Sequence, residues 1–142
     1  MSFKRILSAI DFSENSLESF QVALEMARLN HGSLYVLHVI EAQPVIPNYT
    51  EFGEMGEATI GIVEKAGAAM EALISPIKGI PITTQVTSGR ALIEILNYSK
   101  KWSIDLIVIG ARGTPSLKEV FMGSTAENVT KEAKCSVLIT RR

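Results

Sequence analysis

The stretch Leu106-Ile107-Val108-Ile109-Gly110-Ala111-Arg112-Gly113, resumed after nine residues by Gly123-Ser124-Thr125, decides how the whole chain is read. Four consecutive apolar residues suit a strand covered on both faces. Glycine ends the run, and a helical pattern over Ala126–Ala133 leaves the far side. A buried strand that stops at glycine and restarts as a helix gathers backbone N–H groups around one point, where an anion can sit. Glycine admits a phosphate with no Cβ in the way. A helix N-terminus adds unpaired donors and a partial positive charge. The stretch therefore predicts a loop for the phosphates of a nucleotide, with Gly110, Arg112, Gly113, Gly123, Ser124, Thr125 and Ala126 as contacts. Its spacing, G-x-x-G-x9-G-S, is neither the P-loop, which needs Lys and Ser or Thr after its glycines, nor the dinucleotide fingerprint G-x-G-x-x-G. The plainer alternative is two tight turns around a short helix, with the glycines serving backbone conformation alone.

Outward from that loop the chain alternates. Phe3–Ile10 is an apolar-rich run of strand length, ended by Asp11-Phe12-Ser13. Ser13 suits a helix N-cap, and Glu14 falls in the first turn where the dipole favours a carboxylate. Leu17, Phe20, Leu24 and Ala27 recur at helical spacing. His31-Gly32 closes this helix, with Gly32 expected as the left-handed residue at its end. Leu34–Ile40 is a second strand, apolar at nearly every position. Gln43–Asn48 holds Pro44 and Pro47 and reads as a loop. A helix is expected within Thr50–Ile77, with Ile60, Val63, Ala66, Met70, Leu73 and Ile74 on its inner face. Ile82–Thr87 is a third strand. Ser88-Gly89-Arg90 then turns into a helix with Leu92, Ile93, Leu96 and Tyr98 inward, ending near Lys101. Ile104–Ile109 and Ser136–Thr140 are strands four and five. Such alternation predicts an α/β fold: a single domain over 1–142, an open five-stranded parallel sheet with helices on both faces.

Composition narrows the function. The 142 residues are 46% hydrophobic with a net charge of −1, enough for a sizeable core. No basic stripe or block of like charge marks a nucleic-acid or anionic-membrane partner. No apolar run reaches the roughly 20 residues of a membrane span. Asp11 and Glu14 follow the first apolar run directly, unlike a secretory signal. A single cysteine, Cys135, leaves no internal disulfide framework and reads as a small hydrophobe. These features predict a cytoplasmic protein.

The glycine spacing, followed by Ala126-Glu127-Asn128-Val129, resembles the universal stress protein family of the ATP-binding type. The resemblance extends to Ile6-Leu7-Ser8-Ala9-Ile10-Asp11-Phe12-Ser13, to Leu37-His38-Val39, to the region of Gly89 and to Val137-Leu138-Ile139. It implies the sheet order 3-2-1-4-5, bound ATP or AMP, a stress-response regulatory role, and a dimer. It also implies that the backbone at Val39 meets adenine and that Ala9, Ile10 and Asp11 line base and ribose. The family often has proline where this chain has Ala9, a departure that touches shape more than chemistry.

In open α/β sheets, ligands lie beyond the carboxyl ends of the strands where the order reverses. In the implied order that point falls between strands one and four, beside Asp11 and Gly110. A carboxylate there suits ribose hydroxyls or an adenine amino group, both of which donate; the alternative is a turn aspartate. Ser116-Leu117-Lys118-Glu119 and Ser124-Thr125-Ala126-Glu127 both read as capping boxes, so Ser124 either caps its helix, meets a phosphate, or does both. Arg112 supplies charge that glycines cannot, while Lys118 reads as solvated. Catalytic machinery is thin. His31 lies at a helix end, and His38 reads as a hydrogen-bonded core residue. Any ATP hydrolysis would be slow and would rest on positioning and a bound Mg²⁺, with Asp11 the nearest acid. The expected function is that of a binding protein. The competing functions are a dimeric adaptor with an empty pocket, and flavin binding by analogy of fold. A phosphorylated receiver domain would need Asp and Lys where this chain has Thr87 and Thr140. The stretch Gln43–Phe52 leaves the same sheet edge and is expected either to act as a lid or to be inert. The final strand, Ser136, Val137, Leu138, Ile139 and Thr140, lies at the sheet edge in the implied order. An uncharged edge of that kind invites pairing with its own copy as a homodimer.

Overall fold

The computed structural model describes residues 2–41, 52–111 and 123–141. Five strands, β1 (Arg5–Ile10), β2 (Ser33–Ile40), β3 (Ile82–Ser88), β4 (Leu106–Gly110) and β5 (Ser136–Thr140), alternate with four helices, α1 (Glu14–Leu29), α2 (Phe52–Ile74), α3 (Ala91–Lys101) and α4 (Ser124–Glu132). All strand pairs are parallel, in the order β3-β2-β1-β4-β5. β1 is the central strand, and the sheet order reverses between it and β4. The expected α/β architecture and strand order are those observed.

Apolar side chains on alternate positions feed two cores. Ile6, Ile10, Val36 and Val108 lie under α1 and α2, with Phe20, Ala23 and Ala27 buried beneath α1 and Met70 beneath α2. Leu7, Leu37, Ile107 and Ile109 pack against α3 and α4 through Ile95, Ala126 and Val129. Strands covered on both faces need no polar side, which is why β2 and β4 are apolar at nearly every position.

The strands begin later than their apolar patterns suggest. β1 starts at Arg5 rather than Phe3, because the N–H groups of Lys4 and Arg5 turn to the carboxylate of Asp105, at 3.0 and 3.1 Å. β4 starts at Leu106 rather than Ile104, because the Ile104 N–H still returns to Ser99 of the preceding turn. Near the Asp105 carboxylate, Tyr35, Trp102 and Tyr98 stack in series, with the Arg5 guanidinium over Tyr35. Burial pushes the pKa of the partly buried Cys135 thiol up, and the Asp105 charge adds to this against a backbone hydrogen bond that lowers it. The thiol therefore stays protonated at neutral pH and is a poor nucleophile.

Three expectations are corrected. The left-handed residue after α1 is His31, at φ +53°, and not Gly32. Gly32 answers to contact instead: a Cβ there would sit 2.5 Å from the Lys4 carbonyl oxygen. On α3 the buried side chain is Ile95, while Ile93 faces solvent. The run of apolar residues at 92, 93, 95 and 96 offers two helical faces, and the sheet selects one. On α2, Ala66 and Met70 are buried as expected, but Ile60 and Val63 are exposed.

Candidate functional site

A cavity of about 590 Å³ opens at the carboxyl end of the sheet, within the range of small-molecule sites. Ala9, Ile10 and Asp11 enter it from the end of β1, Val39 from β2 and Gly110 from β4. Gly123, Ser124, Thr125 and Ala126, where α4 begins, close the opposite wall. The structure thus brings these expected site residues together. Arg112 and Gly113 lie outside the described residues, as do the first capping box, Lys118 and the segment 43–51.

The start of α4 supplies donors. Its first helical bond runs from Glu127 N–H to the Gly123 carbonyl. The N–H groups of Ser124, Thr125 and Ala126 precede that bond and have no intrahelical acceptor. Gly123, in extended conformation, is the N-cap and makes no side-chain cap. Ser124 is therefore the first helical residue and not the cap, which corrects the capping-box expectation. Gly123 is the cap because its carbonyl takes the first helical bond from extended backbone, while its own N–H bonds the Ala111 carbonyl. Ala111 N–H in turn bonds Thr140 of β5 at 2.9 Å, tying the loop ends to the sheet. Gly110 also serves packing, since a Cβ there would lie 2.7 Å from the Asn15 Nδ2 of α1.

Asp11 sits in a tight turn. Its Oδ1 accepts from Ser13 N–H at 2.9 Å, and its own N–H donates to Ser16 Oγ at 3.2 Å. Ser13 caps α1 through the Ser16 N–H, as expected. Asp11 is thus a turn aspartate that also lines the cavity.

Sequence reasoning missed several wall residues. His38, read as a core histidine, lies on the wall and bonds the Ile10 carbonyl at 2.8 Å through Nδ1. Ser16 and Glu41 also line the cavity, and the Glu41 carboxylate accepts from Ala91 N–H at the start of α3. Glu41 follows β2 directly, so its place at the carboxyl edge was a signal available in the sequence. The apolar lining includes Leu37, Ile95 and Ile109. Among the described wall residues, Asp11 and Glu41 are acidic, and none is Lys or Arg.

The sequence model of the universal stress protein family matches residues 2–141. The chain belongs to the universal stress protein family. A curated relative, universal stress protein A homolog 1 of Coxiella burnetii, is 35% identical over 97% of this chain and 96% of its own length. Among solved structures, universal stress protein UspA from Lactobacillus plantarum superposes with a TM-score of 0.80 at 26% identity, covering 99% of both chains. A universal stress protein solved in complex with cAMP shares the fold, with a TM-score of 0.65 at 17% identity over 99% of this chain and 98% of that one. In this universal stress protein, no described helix is long and apolar enough to cross a membrane.

Proposed function

We propose that this universal stress protein is a regulatory binding protein for an adenine nucleotide, ATP or AMP, acting in the cytoplasm. The observation that carries the reading is the convergence of three strand ends and the open start of α4 on one cavity. In this reading the N–H groups at 124–126 hold phosphate, and Gly110, Gly113 and Gly123 keep the approach clear. Asp11 accepts from a ribose hydroxyl or the adenine amino group, and Ala9, Ile10 and Val39 flank the base. The family often binds adenine nucleotides, and the cAMP complex shows an adenine nucleotide accommodated on this fold elsewhere. The charge balance of the described wall adds a requirement. With two carboxylates and no cation, a polyphosphate needs Arg112 or an accompanying Mg²⁺. The Asp11 carboxylate suits Mg²⁺, which takes one or two carboxylates plus phosphate oxygens. The direct test is mass spectrometry of the small molecules released when freshly purified protein is denatured. Release of an adenine nucleotide in near-stoichiometric amount is expected; a flavin, or nothing together with no ATP binding in calorimetry, overturns the reading and favours the adaptor.

Asp11→Ala separates two roles. Losing a partner for a ligand hydrogen bond should weaken nucleotide binding by about 1–3 kcal/mol. Losing the bond to Ser13 should lower stability by about 1 kcal/mol. Titration calorimetry and thermal melting on the same variant read the two effects. A fall in melting temperature with unchanged affinity would confine Asp11 to the turn.

We further propose a homodimer through β5. The Thr140 carbonyl accepts from Ala111, so its polar backbone groups face β4. Alternation along a strand gives Leu138 the same direction and turns those of Val137 and Ile139 to the open edge. Proline at Val137 and Ile139 therefore removes the outward donors and spares the ladder to β4. Light scattering should report a dimer for the parent chain and a folded monomer for the doubly substituted one. A parent chain that is monomeric at micromolar concentration refutes the interface.

A further inference from the structure

We infer that His38 is the positioning residue that holds the Asp11 turn, gripping the residues on both sides of that aspartate. A backbone carbonyl can only accept, so the 2.8 Å contact between His38 Nδ1 and the Ile10 oxygen requires the proton on Nδ1. This fixes the tautomer of the neutral ring. It also occupies the last carbonyl of β1, in the final β1–β2 pair, Ile10 with His38. On the other side of Asp11, the Phe12 ring packs against the same imidazole at 4.8 Å between centroids, tilted by 59°. Phe12 has φ +65°, a conformation that a bulky side chain adopts only when its surroundings impose it. The bonds of Asp11 to Ser13 and Ser16 are local to the turn. The strand ladder already pairs Ile10 with β2; the imidazole adds a side-chain bond to its carbonyl and ties Phe12, on the far side of Asp11, to the same strand.

Only the consequence for ligand binding rests on the nucleotide reading; the positioning itself does not. Two variants divide the roles. His38→Leu keeps apolar bulk and removes the donor, while His38→Asn places an amide nitrogen near the position of Nδ1. The first readout is hydrogen exchange at Ser13 N–H in the ligand-free protein, since that amide is held by Asp11 Oδ1. Exchange should be about tenfold faster in His38→Leu and return close to the parent rate in His38→Asn, with the melting temperatures of both variants recorded. Should His38→Leu fail to fold, His38→Gln, whose nitrogen lies near the Nε2 position, replaces it. The second readout is the ratio of affinities for ATP and 2′,3′-dideoxy-ATP. His38→Leu should lower the ratio of the two affinities, the preference for the ribose hydroxyls, and His38→Asn should restore it. Unchanged Ser13 exchange in His38→Leu overturns the proposal, as does an Asn variant that exchanges like Leu. A parent protein that binds neither nucleotide refutes the nucleotide reading, and the exchange measurement still decides the role of His38.

Discussion

Gly123→Val should weaken nucleotide binding severely while leaving the fold intact. Gly123 has φ −63° and ψ 157°, extended backbone that valine adopts without strain. The substitution therefore costs little as conformation. Gly123 itself, however, lines the cavity wall beside Ser124, Thr125 and Ala126, and an isopropyl group added there should crowd their N–H groups. A phosphate pushed off two of those donors loses charge-assisted hydrogen bonds of about 1.5–3 kcal/mol each. Affinity should fall by roughly a hundredfold or more. Titration calorimetry with ATP and far-UV circular dichroism check both halves. A native spectrum with unchanged affinity would move the phosphate site elsewhere.

Gly32→Ala should be the most damaging of the conservative substitutions to stability. The added methyl would meet the Lys4 oxygen at 2.5 Å and its carbonyl carbon and Cα at 2.9 Å. These are backbone atoms, and Ser33 N–H is bonded to the same oxygen at 2.7 Å. The starts of β1 and β2 must separate, an overpacking cost of about 3 kcal/mol and roughly 10 °C in melting temperature. His31→Gly should do the reverse, because it relieves a left-handed non-glycine residue. Thermal unfolding of both variants distinguishes close approach at 32 from a conformational demand there. If Gly32→Ala melts with the parent chain, the close approach is disproved.

What could be read in advance follows from what periodicity encodes. Nearly unbroken apolar runs at Leu34–Ile40 and Leu106–Ile109 announced strands covered on both faces, and alternation with helices announced a parallel sheet. Strand order was a different matter: five parallel strands permit several orders, and only the family resemblance selected 3-2-1-4-5. Helix faces failed where apolar residues crowd. Ile93 and Ile95 are equally hydrophobic, and only the position of the sheet distinguishes them. Gly32 was misassigned because a glycine at a helix end serves either φ or proximity, and proximity depends on Lys4, which is distant in sequence. At the candidate site, spacing pointed to Gly110, Gly123, Ser124, Thr125 and Ala126, whereas Ala9, Ile10 and Val39 came only from the family resemblance, and the place of Asp11 from the strand order it implies. His38 was not legible, because an apolar strand hides which of its residues emerges at the carboxyl edge. Its partner, the Ile10 carbonyl, carries no side-chain signature.

The central place of β1 has a kinetic consequence. β1, β2 and β3, with α1 and α2 between them, span residues 5–88 and can pair among themselves early. β1 waits for β4, whose partners lie about a hundred residues away, as Lys4 and Arg5 do from Asp105. Closing so long a segment is slow relative to local pairing. The walls from Gly110 and the start of α4 depend on this long-range pairing. A ligand contacting both walls would bind only the chain in which β1 and β4 are paired. By mass action such a ligand would stabilise the fully paired sheet over any state that lacks this pairing.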